Sequence, residues 1–336
     1  MTTNRRFTLV RRPEGMPKAD DFKLVEEDIP TPGAGELLVR NHYASIDPAQ
    51  RGWLDDAPSY LPPVQLGDAV RATCISEVIE SNAEAFKPGD WIMGLNKMED
   101  YSVFTPDGFT NVIDPSATKS VTNYLSAMGA VGLTAYFGVK EELKPRKGQT
   151  LLVSGAAGAV GSMVGQLAKL DGAYVVGIAG GPEKCSRLLN DYGFDAAVDY
   201  RGKTVEQLTE EIGKAAPDGI DLVFENVGGK GLDATLMNIN QNAKVCLCGL
   251  ISEYNTEPYG TRNLWQLIVN CARIQGYLVS NYLDRFMDAG QEVAGLINDG
   301  KLKFDEHIDE GLENSYTAMM RLFEGTNQGK MILKIS

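Results

Sequence analysis

The chain reads as an α/β protein in which a doubly wound parallel sheet is joined to a second, mainly β domain. Three observations lead there. Residues 1–122 alternate short β-like runs with the turn signals "PTPGAGE", "KPGD" and "TPDG", without long helical patterns. From residue 123 to about 300, continuous apolar runs take turns with helical ones, as expected of parallel strands covered on both faces. With 336 residues, 43% of them hydrophobic and 23% charged, the chain exceeds what one ordinary core organises, so two domains are expected.

In the first region "ELLVRNHY" (36–43) and "CISEVIES" (74–81) are strands, and their spacing suggests a small barrel. In the second, "LSAMGAVGLTAYFGV" (125–139) reads as a helix, "TLLVSG" (150–155) as a strand and "AVGSMVGQLAKLDG" (159–172) as a helix. The alternation continues with strand "YVVGIAG" (174–180), helix "KCSRLLNDYG" (184–193), strand "AAVDY" (196–200) and helix "VEQLTEEIGKAA" (205–216). Strands "IDLVFENVG" (220–228), "AKVCLCG" (243–249) and "RIQGYLVS" (273–280) complete it, the last edge-like enough to pair with a second copy. The tail ends in the alternating "KMILKIS" (330–336), expected to rejoin the first region. The domains are then 1–122 with 301–336, and 123–300.

Charge and cysteine content narrow the function. Lys plus Arg total 32 against 45 for Asp plus Glu, a net charge of −13, which argues against a nucleic-acid groove. The opening "MTTNRRFTLVRRPEG" lacks a signal-peptide apolar run, and nothing approaches the roughly 20 apolar residues of a membrane span, so the expected address is the cytoplasm. Five cysteines, an odd number without framework spacing, suit reduced thiols. Cys246 and Cys248 form a lone C-x-C, but with two histidines in the chain, His42 and His307, the ligands for a zinc site are too few; no metal is expected.

"VSGAAGAVGS" (153–162) sets Gly155, Gly158 and Gly161 where the first strand of the α/β region turns into its first helix. There, backbone amides and the helix dipole can hold a pyrophosphate, so a dinucleotide is expected. An NAD site usually carries Asp or Glu at the end of the second strand; here stand Gly180 and Gly181, with Lys184 just beyond, which suits the 2′-phosphate of NADP. The other reading makes Lys184 a solvated helix residue and Glu183 the ribose acceptor.

With these motifs in place, the chain resembles the zinc-independent medium-chain dehydrogenase/reductase superfamily, in the branch of prostaglandin reductase, leukotriene B4 dehydrogenase and curcumin reductase-like enzymes. The resemblance spans nearly the whole length. It is carried by "SIDPAQRGW" (45–53), "AAGAVGSMVGQLAKLDG" (156–172), "VVGIAGGPEKC" (175–185), "FENVGGK" (224–230), "CGLISEYN" (248–255), "IQGYLV" (274–279) and "GLENSYTAMMRLFEGTNQGKMILKI" (311–335). It implies a GroES-like β domain, a Rossmann domain, a cleft between them, and a homodimer. The implied activity is NADPH-dependent reduction of the C=C bond of α,β-unsaturated ketones and aldehydes, with hydride delivered to the β-carbon.

The resemblance also implies site residues. Ala157, Gly158, Ala159 and Val160 would meet the pyrophosphate, Lys184 and Tyr200 the 2′-phosphate, and Asn226, after the fourth strand, would also contact the cofactor. Cys248, Gly249, Leu250, Ile251, Ser252 and Tyr254, then Tyr277, Leu278 and Val279, then Asn327, would line the nicotinamide half. Tyr254 would donate to the carbonyl oxygen as charge gathers there, or is an ordinary loop tyrosine. The chain departs from its relatives at Ala49, where they commonly carry tyrosine; Trp53 either refills that space or belongs to the core. Two other functions fit the same sequence: an NADPH:quinone reductase, and a non-catalytic NADPH-binding structural or sensor protein.

Overall fold

Residues 3–336 are described by the computed structural model, and they form two compact units, one from the chain up to Gly129 with Glu306–Ser336, the other from Ala130–Asp305. The divisions fall a few residues beyond the expected ones, for a packing reason. Leu125 is buried with Ile75, Ile113 and Ile332 of the first unit, and Ser126 donates to Glu306. Gln166 binds the backbone of Lys303 at both its amide atoms, and Arg187 pairs with Asp305 at 2.7 Å, which hold 301–305 in the second unit.

The first unit begins with β1 (Thr3–Leu9) and β2 (Phe22–Asp28), an antiparallel pair. Then come β3 (Leu37–Ser45), a short α1 (Gln50–Trp53), β4 (Arg71–Ser81), β5 (Trp91–Lys97), β6 (Tyr101–Phe104) and β7 (Asn111–Ile113). The second unit runs α2 (Ala130–Phe137), β8 (Thr150–Ser154), α3 (Ala159–Leu170), β9 (Tyr174–Ala179), α4 (Pro182–Asn190), β10 (Ala196–Asp199) and α5 (Val205–Ala215). It continues through β11 (Ile220–Glu225), α6 (Gly229–Leu236), β12 (Ile239–Leu247), α7 (Trp265–Val269), β13 (Arg273–Gly276) and α8 (Phe286–Asn298). The tail adds β14 (Glu306–Glu310), α9 (Ser315–Glu324) and β15 (Lys330–Lys334) to the first unit.

The strands of the first unit form a sheet in the order β14-β15-β3-β4-β5-β7, with β6 also on β3. That ladder stays open rather than closing as a barrel. Its last strand, β7, is only three residues long, and at the other end β14 ("EHIDE") is charged. Beneath it, Phe7, Leu9, Ile46, Trp53, Leu54, Met319 and Leu333 share one core.

The second unit holds a six-stranded sheet in the order β10-β9-β8-β11-β12-β13, every pairing parallel. All five residues of β8 are buried, as its unbroken apolar run requires of a strand covered on both faces. Leu152, Val176 and Val223 belong to the core on this sheet, each worth about 1.5–3 kcal/mol on burial. Several element bounds differ from expectation, two of them for reasons the backbone shows. The helix expected from Leu125 starts at Ala130, after turns that bond Met128 and Gly129 to Asn123 and Ser126. The last strand ends at Gly276, because β12 ends at Leu247 and offers its final carbonyl to Tyr277. No helix among the described residues is long and apolar enough to cross a membrane.

Candidate functional site

The chain leaves β8 toward β9 on one side and returns through β11 on the other. The carboxyl ends of β8 and β11 are therefore the switch point, where a doubly wound sheet leaves room for a ligand. Three groups of residues gather at this end of the strands.

The first is the turn from β8 into α3. Gly155 takes φ +59° and its carbonyl accepts from the Gly158 amide at 2.9 Å, while Ala156 donates to Ile178 at 3.0 Å. Because α3 is capped by Gly158, no cap side chain fills the place in front of its first-turn amides. Helix and turn pack closely: a Cβ at Gly161 would sit 2.5 Å from the Gly155 oxygen and 2.8 Å from Ala156 Cα, so only glycine is accepted there. Ala157, Gly158, Ala159 and Val160 are half-buried and reachable. Uncapped amides at the positive end of a helix form a cradle for a pyrophosphate.

The second group lies after β9 and β10. A Cβ on Gly180 would meet the Tyr200 ring and hydroxyl at 3.0 Å and Arg201 Nε at 3.1 Å, so this glycine makes room for both side chains. Asp199 ties the two turns together by accepting from the amides of Gly181 (2.7 Å) and Arg201 (3.0 Å). Lys184 is half-buried beside them. Its ammonium pKa is held below the usual lysine value by burial and then by the charges of Arg201 and Arg187. Like charges held near one another, with a phenol at their edge, fit a dianionic phosphate. Arg201 escaped the sequence reading; its only signal was its place directly after Tyr200 at the end of a strand.

The third group joins the loops after β11 and β12. Asn226 donates from its amide to Ser154 Oγ and from its side chain to the Ser154 carbonyl, both at 2.8 Å. The second loop is laid along the first: Cys248 and Gly249 donate to the Glu225 carbonyl, Ile251 to that of Asn226, and Ser252 to that of Val227. Tyr254 closes this arrangement, its phenolic oxygen accepting from the Leu250 amide at 3.3 Å. Burial raises the Tyr254 pKa, so the ring keeps its proton and can donate it.

The remaining expected residues follow β13 or lie in the other unit. Tyr277 is 6% exposed, and its hydroxyl donates to the Thr134 carbonyl at 3.0 Å, so its side chain is committed to the core. Leu278 is exposed, Val279 opens a short 3-10 turn, and Asn327 lies in the other unit with its side chain on the Gly329 carbonyl. Elsewhere, Ala49 opens α1, Trp53 is built into the first unit's core, and His42 stacks on Trp91 at 4.6 Å. Among the described residues, no group of three or more His, Cys, Asp and Glu could hold a metal ion.

Comparison with known proteins bears on this geometry. Residues 5–112 match a family model described as the N-terminal domain of oxidoreductase, and residues 159–295 one described as zinc-binding dehydrogenase. The chain is 38% identical to the NADPH-dependent curcumin reductase of Escherichia coli, over 99% of this chain and 97% of that one. It is 36% identical to the 2-alkenal reductase (NADP(+)-dependent) of Nicotiana tabacum, over 99% and 98%. It also superposes on CurA in complex with NADPH from Vibrio vulnificus with a TM-score of 0.91 at 37% identity, covering 99% of both chains. A phosphate-ready helix end, a cation cluster after β9 and relatedness over the full length lead to one statement: the chain belongs to the medium-chain dehydrogenase/reductase superfamily, in the branch of the curcumin and alkenal reductases.

Proposed function

We propose that this protein is an NADPH-dependent ene-reductase acting on the C=C bond of α,β-unsaturated ketones and aldehydes. The observation that carries the reading is the hydrogen-bonding state of Tyr254. Its oxygen accepts from Leu250, burial keeps it protonated, and its O–H proton remains available for a substrate carbonyl. The full-length relatedness to reductases named for curcumin and 2-alkenals supports the substrate class.

Ala157 to Val160 hold the pyrophosphate in this reading, Lys184, Tyr200 and Arg201 the 2′-phosphate, and Asn226 with Cys248 to Tyr254 the nicotinamide half. When bound, NADPH supplies the hydride. The Tyr254 hydroxyl would donate a hydrogen bond to the substrate's carbonyl oxygen, where negative charge would gather as the alkene is reduced. A proton from solvent then completes the α-carbon, so the substrate gains one hydride and one proton.

The protein is read further as a cytoplasmic homodimer. Its five cysteines are free, as in a reducing compartment. β13 takes the edge of the parallel sheet, and α7 just before it exposes Trp265, Ile268 and Val269. A monomeric mass by light scattering at micromolar concentration would defeat the dimer.

Following NADPH oxidation with a simple enone and with a quinone separates this function from the quinone reductase and from a non-catalytic binder. Turnover of the quinone alone, or of neither, would overturn it. The donor role is tested by Tyr254→Phe, which keeps the ring. A lost oxyanion donor costs about a hundredfold or more in comparable sites, and a cofactor ribose hydroxyl can cover part of the deficit, so about ten- to fiftyfold is expected in single-turnover hydride transfer. NADPH affinity should barely change. A wild-type transfer rate would remove Tyr254 from the chemistry.

A further inference from the structure

We infer that Glu225, which was given no role above, is a positioning residue that sets both loops of the nicotinamide half through one buried carboxyl oxygen. The side chain is fully buried at the end of β11. Its Oε1 accepts three hydrogen bonds: from Ser154 Oγ at 2.6 Å, from the Val227 amide at 2.7 Å and from the Gly228 amide at 2.8 Å. Its Oε2 is buried and has no partner among the described residues.

Every partner of that oxygen lies at the site end of the sheet and none in the core beneath. Ser154 ends β8, and its hydroxyl also receives the Asn226 amide. Val227 and Gly228 form the turn after β11, and the two amides converging on Oε1 orient the peptide units between Asn226 and Gly228. The carbonyls of Asn226 and Val227 then receive Ile251 at 3.1 Å and Ser252 at 3.0 Å, while Glu225's own carbonyl receives Cys248 and Gly249. The loop that carries Tyr254 is thus laid on peptides whose direction Oε1 sets. Two of the three donors are backbone amides, which no side-chain substitution elsewhere can remove, so loss of the acceptor leaves them unpaired, that of Gly228 in a buried place.

A carbonyl-type oxygen suffices for this task. Burial pushes the Glu225 pKa up against the pull of its donors, so a neutral group of the same shape is expected to serve. Glutamine can turn its oxygen to the three donors; alanine offers none.

The inference rests on the placement of the nicotinamide half proposed above, and the test separates the two. Affinity for NADPH, followed by its own fluorescence, is compared with affinity for 2′,5′-ADP, which lacks that half and serves as competitor. Wild-type protein that holds NADPH no more tightly than 2′,5′-ADP would overturn the placement, and the role of Glu225 with it. Otherwise, Glu225→Ala should lose about tenfold or more in NADPH affinity while 2′,5′-ADP stays within about twofold, and Glu225→Gln should stay within about threefold of wild type for both. Equal losses for the two ligands, or none, in Glu225→Ala would reduce Glu225 to a general structural part and overturn the inference. Should Glu225→Ala fail to fold, Glu225→Asp decides. Its shorter side chain withdraws the oxygen from the amides, so a several-fold loss for NADPH alone is expected, and an unchanged ratio of the two affinities refutes the role.

Discussion

Replacing Lys184 by alanine tests the cofactor reading most directly. In the free protein the ammonium is disfavoured by burial and by the neighbouring charges of Arg201 and Arg187. With a 2′-phosphate in place the same group would face close to two negative charges and make a charge-assisted hydrogen bond, worth about 1.5–3 kcal/mol. At about 1.4 kcal/mol per decade, the KM for NADPH should rise about ten- to a hundredfold, while that for NADH, which lacks the phosphate, stays within about twofold. Steady-state rates with each cofactor at fixed substrate measure this, together with thermal melts. The NADPH penalty should shrink at higher ionic strength, since half-exposed charges are screened. Equal losses for both cofactors, or a drop in melting temperature large enough to explain the NADPH loss, would refute the reasoning.

Three other outcomes follow from particular contacts. Gly161→Ala puts a Cβ 2.5 Å from a backbone oxygen that cannot move aside; overpacking of about 1–3 kcal/mol should appear in urea melts together with weakened NADPH binding, and an unchanged midpoint would refute the close approach. His42 is kept below its usual pKa of 6.5 by burial and by Arg40, so the unfolded chain binds its proton more readily. Stability should fall as pH drops from about 6.5 toward the lower folded value, and the melting-temperature difference between pH 7.5 and pH 5 should narrow in His42→Gln; an equal difference in both proteins argues against it. Lys330 is 2% exposed, bonds the carbonyls of Ile46 and Met331 and lies 3.2 Å from Asp47. Lys330→Met should cost about 3 kcal/mol in urea melts, toward the low end for a broken buried pair because Asp47 keeps some solvent; a loss under about 1 kcal/mol would show the pair to be dispensable.

What the amino-acid order alone determined is the part governed by near neighbours. The buried run "TLLVS" marks a strand covered on both faces, and glycines at 155, 158 and 161 mark a strand-to-helix turn without side chains. Gly180 and Gly181 at the end of the second strand, where an NAD site usually carries an acid, with Lys184 just beyond, already suited a 2′-phosphate. These features depend on residues within one turn or one strand, so periodicity and spacing reveal them. Tertiary structure decided what depends on which strands lie side by side. The charge of Arg201 is felt at Lys184 because β10 is placed next to β9, and Tyr200 has room because Gly180 belongs to the neighbouring strand's end. The Tyr277 hydroxyl finds the Thr134 carbonyl at 143 residues' separation. Glu225 reads locally as one more polar residue in a strand; only the pairing of β8 with β11 brings Ser154 to it, and only the folded turn aims two amides at the same oxygen. A buried polar group must find its partners wherever the fold places them, and those partners lie too far apart in the chain for any local pattern to announce them.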